Sequence, residues 1–353
     1  MVARSRSWLC LLLVTAPVAC RNRSGSPDLA GSWVEAHRTV YGRIPARVKL
    51  WLPARRRGEA ITTACWAELE RLGTIFNAFD PTSEVGRLNA HSTTAPVTIS
   101  GDLAAALRVA RRVHAASGGA FDPTIWPLKR LWRRAVARRR LPTDDELGAA
   151  LPRVGLDRVR VEGRPPRLTR AVAGIQLDLG GVAKGYAVDR LGRLLRARGV
   201  TAALVQLGGE VLAFGESDVG PWRIGVQHPT RRGRIYGVVE HRGMVRVSTS
   251  GNYKQPVRIG SRTYYHVFVP STGQPAPTNV RGVTVASFDS GPDSATLDAA
   301  ATAAVVVGAE RATKLVRALG GEGLVIEGAP NALREVVTPG LAARWRREAR
   351  ARD

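Results

Sequence analysis

The chain has 353 residues, of which 44% are hydrophobic and 23% are charged. This composition supports a packed core and excludes an intrinsically disordered protein, and the length suits one large domain or two ordinary ones. The formal net charge of +24 raises the question of nucleic-acid binding. The basic residues are nearly all arginines spread along the chain, dense in exposed-looking stretches such as 130–140 and 344–352, and no nucleic-acid-binding motif accompanies them. We therefore expect no nucleic-acid partner, but a basic surface that favours acidic partners, phosphate-bearing ligands or anionic lipid.

The first twenty residues have the layout of an export signal. Basic residues precede an apolar run over 8–14, and a small-residue segment over 16–19 leads to Cys20. The apolar run is too short to span a bilayer as a helix. Cys20 stands where bacterial lipoproteins are lipidated, although Pro17 occupies a position where that motif usually has leucine. The sequence predicts export to the periplasmic face of a bacterial membrane with a lipid anchor at Cys20, or an ordinary cleaved signal.

Four segments follow from this pattern and from the composition further along the chain. We predict a signal peptide over 1–19, a lipidated N-terminus and linker over 20–32, a folded domain over 33–340, and a basic C-terminal tail over 341–353. Cysteines give neither a disulfide framework nor a zinc spacing, and Cys65 lies in an apolar helical stretch as a predicted core residue.

Hydrophobic periodicity predicts a mixture of helices and short strands. Helices are predicted over 59–79, from about 101 to 117, over 182–198 and over 294–307. Strands are predicted over 202–205, 211–214, 224–226, 236–240, 245–248, 257–259 and 264–269. Because the two types are mixed without regular βαβ alternation, the predicted fold class is α+β.

The segment DLGGVAKGYAVD, from Asp178 to Asp189, is the most specific in the chain. Its paired glycines let the backbone approach a ligand, and the N-terminus of the following helix offers free N–H groups to a phosphate. Lys184 adds a cation at the same place. The spacing matches neither a Walker loop nor a dinucleotide-binding fingerprint. The segment alone predicts an anion site, or else a tight strand-to-helix turn with a surface lysine.

A second polar set lies on the predicted helix over 294–307. Asp298, Ala301 and Thr302 are spaced i, i+3 and i+4, so they share one face of that helix. A carboxylate, a hydroxyl and a backbone carbonyl form an oxygen set suited to Mg²⁺, which usually keeps waters and substrate phosphate as its other ligands. The helix dipole alone also favours an aspartate near a helix start, so both interpretations stay open on these residues.

Seven short segments, in the same order, resemble those of the ApbE family of FAD:protein FMN transferases, over roughly residues 40–327. They are FDPTSE with RLN from Phe79, GAFDPT from Gly119, the DLGGVAKGYAVD segment, GGE from Gly208, TSGNY from Thr249, His266 with PSTG, and Asp298 with Thr302. The resemblance implies an α+β, T-fold-related architecture with strands and helices around a flavin cleft. It also implies a Mg²⁺-dependent enzyme that moves FMN from FAD to a threonine or serine hydroxyl of an acceptor flavoprotein, releasing AMP.

The resemblance also implies residue roles, position by position. The implied FAD contacts are Phe79, Ala120, Phe121, Asp122, Asp178 and Lys184. The implied Mg²⁺ ligands are the carbonyls of Gly181 and Ala301 and the side chains of Asp298 and Thr302. Ser250 and His266 are implied to lie near the reacting phosphate, with His266 as the base for the incoming hydroxyl. Without that context, a lone histidine in a strand is more often structural.

Several positions depart from the family pattern. Val269 replaces an aspartate close to His266, Glu210 replaces the usual aspartate, Tyr41-Gly42-Arg43 stands where Met-Gly-Thr is expected, and the stretch 287–294 is longer. Three alternatives to the transferase follow. They are a Mg²⁺-dependent FAD pyrophosphatase with water as acceptor, a lipoprotein that binds FAD without catalysis, and a basic nucleic-acid or membrane-surface protein.

Overall fold

The computed structural model describes residues 31–53, 56–251, 257–259, 262–264, 267–276 and 279–348. The strands in these ranges are β1 (Ser32–Val40), β2 (Ile44–Leu52), β3 (Val97–Thr98), β4 (Val159–Glu162), β5 (Arg167–Arg170), β6 (Ala203–Leu207), β7 (Glu210–Phe214), β8 (Trp222–Gln227), β9 (Ile235–His241), β10 (Val245–Gly251), β11 (Val257–Ile259), β12 (Arg262–Tyr264), β13 (Val280–Phe288), β14 (Glu322–Ala329), β15 (Ala332–Val337) and β16 (Trp345–Arg347). The α-helices are α1 (Arg56–Phe76), α2 (Glu84–Ala90), α3 (Gly101–Ala116), α4 (Trp126–Ala137), α5 (Asp144–Ala150), α6 (Ala183–Ala197), α7 (Ser294–Val307), α8 (Ala309–Ala318) and α9 (Pro339–Ala342). The mixed α+β architecture predicted from the sequence is confirmed.

An antiparallel sheet in the order β1-β2-β6-β7-β10-β13-β14-β15 forms the centre of the molecule. Successive residues of a strand point to opposite faces, and β7 shows both faces in use. Leu212 and Phe214 belong to the core that also contains residues of α1, α3 and α6, whereas Val211 and Ala213 belong to a second core with residues of β8 and β9. All of β7 is buried, because helices cover one face of the sheet and the small sheet β16-β9-β8 covers the other.

Helix α7 is buried nearly all round, which suits its run of small apolar residues. It begins after Asp293, whose side chain accepts a hydrogen bond from the Thr296 N–H, and ends before Gly308, where φ is +81°. The predicted range 294–307 is confirmed. Helix α6 crosses α7 so closely that a Cβ at Gly185 would overlap the carbonyl oxygen of Ser294 and lie 2.8 Å from Ala295 Cα. This approach brings the two signature helices together.

Helix α1 ends at Phe76, whereas the sequence pattern extended the helix to residue 79. The Asn77 side chain accepts a hydrogen bond from the Phe79 N–H at 3.1 Å, and the Asn77 carbonyl accepts one from the Ser83 hydroxyl at 2.7 Å. These bonds compete with a further helical turn, as asparagine side chains commonly do. Phe79 therefore lies in a turn outside the helix and is 53% exposed.

The folded structure continues past residue 340, where the sequence pattern suggested a basic tail. Leu341 is fully buried, and β16 pairs with β9 through Trp345 and Val239. Arg346 and Arg347 are exposed, so the basic character lies on the outside of a paired strand. Cys65 is fully buried in the main core, as predicted. No helix within the described ranges is long and apolar enough to cross a membrane.

Candidate functional site

The loop before α6 is held in a tight turn by its own aspartate. Asp178 donates its backbone N–H to the Pro123 carbonyl at 2.7 Å, and its carboxylate accepts the Gly180 N–H at 2.9 Å. Gly181 follows, and a Cβ there would lie 3.0 Å from the Phe121 ring and 3.1 Å from the Thr302 hydroxyl oxygen. The backbone at Gly181 thus passes close to both side chains, which explains the paired glycines by close approach.

Lys184 and Asp298 form the centre of the site. The Lys184 Nζ lies 3.0 Å and 3.1 Å from the two carboxylate oxygens of Asp298, and 3.0 Å from the Gly180 carbonyl oxygen. The Gly185 N–H also donates to Asp298, at 3.1 Å. Because Asp298 is fully buried, these donors are what compensate its charge in the fold.

Glu210, at the start of β7, is a second carboxylate at the same lysine. Its Oε1 lies 3.4 Å from Lys184 Nζ, and the residue is 1% exposed. Burial alone would lower the pKa of Lys184, but the charges of Asp298 and Glu210 outweigh it and raise that pKa. Lys184 therefore stays a cation throughout the physiological range. Glu210, which replaces the aspartate that the resemblance leads us to expect, is thus part of the site.

Thr302 and Ser250 extend the site along α7 and β10. The Ser250 hydroxyl lies 3.4 Å from the Thr302 hydroxyl, which in turn donates to the backbone carbonyl of Asp298 at 3.1 Å. Both residues are half-buried. Ala301 is fully buried on the same helix. The structure thus brings five of the predicted residues together, namely Gly181, Lys184, Ser250, Asp298 and Thr302.

Phe79 marks the other end of the site. Its ring packs edge-on against Trp126 with 4.8 Å between the ring centroids, and the Arg133 guanidinium lies 5.1 Å from the Phe79 ring centroid. The Lys129 Nζ, 5.9 Å from the same ring, makes a close ion pair with the Asp178 carboxylate. Lys129 therefore links the exposed aromatic ring to the glycine loop.

The environment of Asp178 keeps it ionised. Burial by itself would raise the pKa of this carboxyl, but the charge of Lys129 together with the hydrogen bonds from Lys129 and the Gly180 N–H lowers that pKa below its ordinary value, with a further contribution from Lys184. No sequence pattern singled out Lys129. It lies on the first turn of α4, where Pro127 is the available indicator of a helix start.

Asp122 is turned inward, although the family resemblance implies an FAD contact for it. Its carboxylate accepts hydrogen bonds from the Thr124 N–H at 2.7 Å and from the Leu156 N–H at 2.9 Å. It lies 3.6 Å from the His114 ring nitrogen, and His114 also contacts the Phe121 carbonyl. Asp122 thus shapes the loop that carries Ala120 and Phe121, and its FAD contact stays a prediction.

Two predicted residues lie outside the described residues. His266, the predicted base, falls in a gap between β12 and residue 267, and Cys20, the predicted lipidation site, precedes residue 31. A strand was predicted over 264–269. In the structure Tyr264 ends β12, and Phe268 forms an isolated bridge with Pro275.

The family model for the ApbE family matches residues 41–325, which is more than half of the chain. A Treponema pallidum protein named FAD:protein FMN transferase is 34% identical over 263 residues, which is 70% of this chain and 72% of that protein. A Vibrio cholerae protein of the same name is 30% identical over 253 residues, 71% of this chain and 74% of that protein.

Solved structures agree with these sequence matches. The flavin transferase ApbE from Vibrio cholerae superposes with a TM-score of 0.77 at 25% identity, covering 89% of this chain and 100% of that one. The apo form of the flavinyl transferase ApbE from Pseudomonas stutzeri gives a TM-score of 0.77 at 27% identity, covering 89% of this chain and 97% of that one. The likeness therefore extends over nearly all of the chain.

Proposed function

The chain belongs to the ApbE family, and from this premise we propose that it transfers FMN from FAD to a threonine or serine hydroxyl of an acceptor flavoprotein, with Mg²⁺ as metal ion and AMP as product. The meeting of Lys184, Asp298 and Thr302 at the N-terminus of α6 is the observation that carries the proposal. A lysine and a helix N-terminus favour phosphate, and a buried carboxylate with a hydroxyl favours a hard cation.

The donor set fits Mg²⁺ by its chemistry. Within the described part of the chain, no three His, Cys, Asp or Glu side chains cluster as a metal site. Asp298, the Thr302 hydroxyl and the backbone carbonyls of Gly181 and Ala301 would instead supply oxygen, which suits Mg²⁺ better than zinc. When bound, Mg²⁺ neutralises charge on the pyrophosphate of the substrate.

The reaction we propose exchanges one phosphorus–oxygen bond for another. The acceptor hydroxyl oxygen bonds to the FMN phosphorus, the bond from that phosphorus to the AMP oxygen breaks, and the hydroxyl proton passes to a base. Lys184 and the N-terminus of α6 would stabilise negative charge on the phosphate and on the departing AMP. The Ser250 hydroxyl would donate a hydrogen bond to the same phosphate. His266 is our proposed base, from its place in the sequence pattern.

FAD would lie along the line from the aromatic end of the site to Asp298. The exposed Phe79 ring offers a surface for stacking on the cofactor, whereas the Phe121 ring is buried and would support the loop beside it. Lys129 sits between the Phe79 ring and Asp178, so it would place a positive charge beside the bound dinucleotide. Because the Asp178 carboxylate is already paired with Lys129, we propose that the two side chains contact FAD together as an ion pair.

The transfer assay uses protein that starts after Cys20, incubated with FAD, MgCl₂ and an acceptor domain carrying a Ser/Thr-Gly-Ala-Ser/Thr motif. AMP release and covalent flavin fluorescence on a denaturing gel are followed, with EDTA and Asp298→Ala as controls. Covalent flavin that requires both Mg²⁺ and Asp298 supports the proposal. AMP without labelled acceptor would point to the FAD pyrophosphatase, and bound FAD with neither product would point to a binding protein.

We also propose that the protein is exported and lipid-anchored at the periplasmic face of a bacterial membrane. The apolar run over 8–14 and the position of Cys20 support this. In a bacterial host, a clickable fatty acid should label the full chain and should not label Cys20→Ala. Recovery of the wild-type protein without lipid would instead favour an ordinary cleaved signal, and labelling of the variant would place the lipid on another residue.

A further inference from the structure

A groove between α4 and α5, which we call the arginine groove, lies outside the residues assigned above. It has a volume of about 280 Å³ and is lined by Arg130, Arg134 and Arg153. Leu131, Ala149 and Ala150 also line it and contribute apolar surface. All three arginines are exposed, whereas Leu131 and Ala150 are buried. The groove therefore combines apolar lining residues with cationic ones.

The charge of the arginine groove is not balanced within the described residues. No carboxylate there pairs with Arg130, Arg134 or Arg153, and helix α4 carries no acidic residue. Glu146 is the one carboxylate among the lining residues, but it is held by Arg140 at 2.9 Å and by the Thr143 N–H at 2.9 Å. Arg130 and Arg134 are spaced i, i+4, where like charges repel and destabilise a helix. An anionic occupant would relieve this repulsion.

The arginine groove adjoins the aromatic end of the FAD site. A second cavity, of about 340 Å³, is lined by Phe79, Trp126 and Arg133. The two cavities share Arg130 and Gln176 as lining residues. An occupant of the arginine groove would thus lie directly beside the site that we assign to FAD.

We propose that the arginine groove docks an acidic segment of the acceptor protein, an inference that rests on the proposed transfer of FMN to a protein. Complementary charge speeds association and fixes the orientation of a partner. A concave groove flanked by two helices can take a short peptide segment, and the exposed arginines in its lining would face the acidic side chains of that segment. The segment need not contain the reacting hydroxyl, because its role is to hold the acceptor next to the FAD site.

The test measures binding of two fluorescent peptides that share one Ser-Gly-Ala-Thr core, one flanked by aspartates and glutamates and the other by asparagines and glutamines. Anisotropy reports their affinity in the presence of FAD, without any need for transfer. We expect the wild-type protein to bind the acidic peptide about fivefold to tenfold more tightly, from two or three exposed ion pairs. The double variant Arg134→Glu/Arg153→Glu should lose this preference, and Arg134→Lys/Arg153→Lys should keep it.

A matched control separates the groove from the overall positive charge. Arg311→Glu/Arg317→Glu changes two exposed arginines on α8 by the same net charge and should keep the preference. Equal binding of both peptides to the wild type, or a preference that survives Arg134→Glu/Arg153→Glu, would overturn the proposal. The proposal would also be overturned if Arg134→Glu/Arg153→Glu binds both peptides as the wild type does but no longer binds phosphatidylglycerol vesicles. That result would assign the groove to lipid. If the anisotropy preference holds but no peptide gains covalent flavin, the transferase proposal fails, and the arginine groove is then a site for an acidic peptide with no acceptor role.

Discussion

Lys184 and Asp298 stand 114 positions apart in the chain, yet the Lys184 Nζ lies 3.0 Å from one carboxylate oxygen of Asp298 and 3.1 Å from the other. The contact exists because α6 and α7 cross at Gly185, where the missing side chain lets the two backbones meet. The contact joins a lysine, a residue type that binds phosphate, to an aspartate, a residue type that binds divalent cations. The proposed site therefore depends on how closely these two helices pack.

Asp298→Asn should distinguish the role of Asp298 in activity from its role in stability. The amide oxygen of the variant side chain can still accept the Gly185 N–H, but the neutral amide no longer compensates the charge of Lys184. Because the Lys184 side chain is 26% exposed and can turn to water, we expect a cost of about 2 kcal/mol in the free energy of unfolding, at the low end for a broken buried pair. AMP release should fall by about 100-fold or more.

Thermal unfolding with and without FAD and MgCl₂ checks the Asp298→Asn prediction. A ligand that binds the native state raises the melting temperature, so the wild-type protein should gain several degrees. The variant should gain little. An equal rise in both proteins would mean that Asp298 does not take part in binding metal or nucleotide.

Gly185→Ala should destabilise the protein through the crossing of α6 and α7. The new Cβ would overlap the Ser294 carbonyl, so the helices must separate, at a cost of about 1–3 kcal/mol for overpacking. Gly148→Ala is the matched control. Gly148 lies in helix α5, is exposed and has no heavy atom within 4 Å of an added Cβ, so alanine should stabilise α5 by about 0.5–1 kcal/mol. Urea unfolding measures both variants. Equal free energies of unfolding for Gly185→Ala and Gly148→Ala would contradict this account.

Lys129→Met should destabilise the protein in a pH-dependent way. In the wild type the pKa of Asp178 lies below the value of about 3.9 for an unfolded aspartate, so its contribution to stability is present above about pH 4 and is lost as the pH falls through the lower folded pKa. Without Lys129, burial dominates and the pKa of Asp178 rises, so the ionised form becomes unfavourable. The stability gap between wild type and variant should be about 2–4 kcal/mol at pH 7 and should shrink toward pH 4.

Urea unfolding at pH 4, 5 and 7 measures this gap. The double variant Lys129→Met/Asp178→Asn has no ionisable group at either position and should lose most of the pH dependence. A gap that stays constant from pH 7 to pH 4 would show that Lys129 acts by packing and not through the charge of Asp178.

Phe79→Ala should weaken FAD binding with little effect on the fold. The ring is 53% exposed, so removing it should change the free energy of unfolding by less than about 1 kcal/mol. Loss of a stacking surface should raise the Kd for FAD by about tenfold, as titration of flavin fluorescence would report. Phe79→Tyr should bind FAD as the wild type does. Unchanged affinity in Phe79→Ala would place the cofactor away from this ring.

Local patterns in the sequence predicted the elements that have clear boundaries. Helix α7 was predicted over its full range, because an aspartate cap, a run of small apolar residues and a glycine stop all lie within it or at its ends.

Helix α4 was missed. Its buried residues Leu128, Leu131, Trp132 and Ala135 have helical spacing, but the arginines among them made 130–140 look like an exposed basic stretch. Strands β13, β14 and β15 were missed as well. Strand β13 is buried at nearly every position, so it shows no alternation of polar and apolar residues.

The sequence by itself determined the family resemblance, the fold class and most of the residues that meet at the site, since motifs carry residue types in a fixed order. Only the tertiary structure decided that Lys129 neutralises Asp178, that Glu210 joins Asp298 at Lys184, and that a groove lined by arginines lies beside Phe79. The physical reason is how far apart the contacting residues lie in the sequence. Periodicity encodes which face of a helix or strand is buried, whereas contacts between residues 49 or 114 positions apart depend on how separate elements pack.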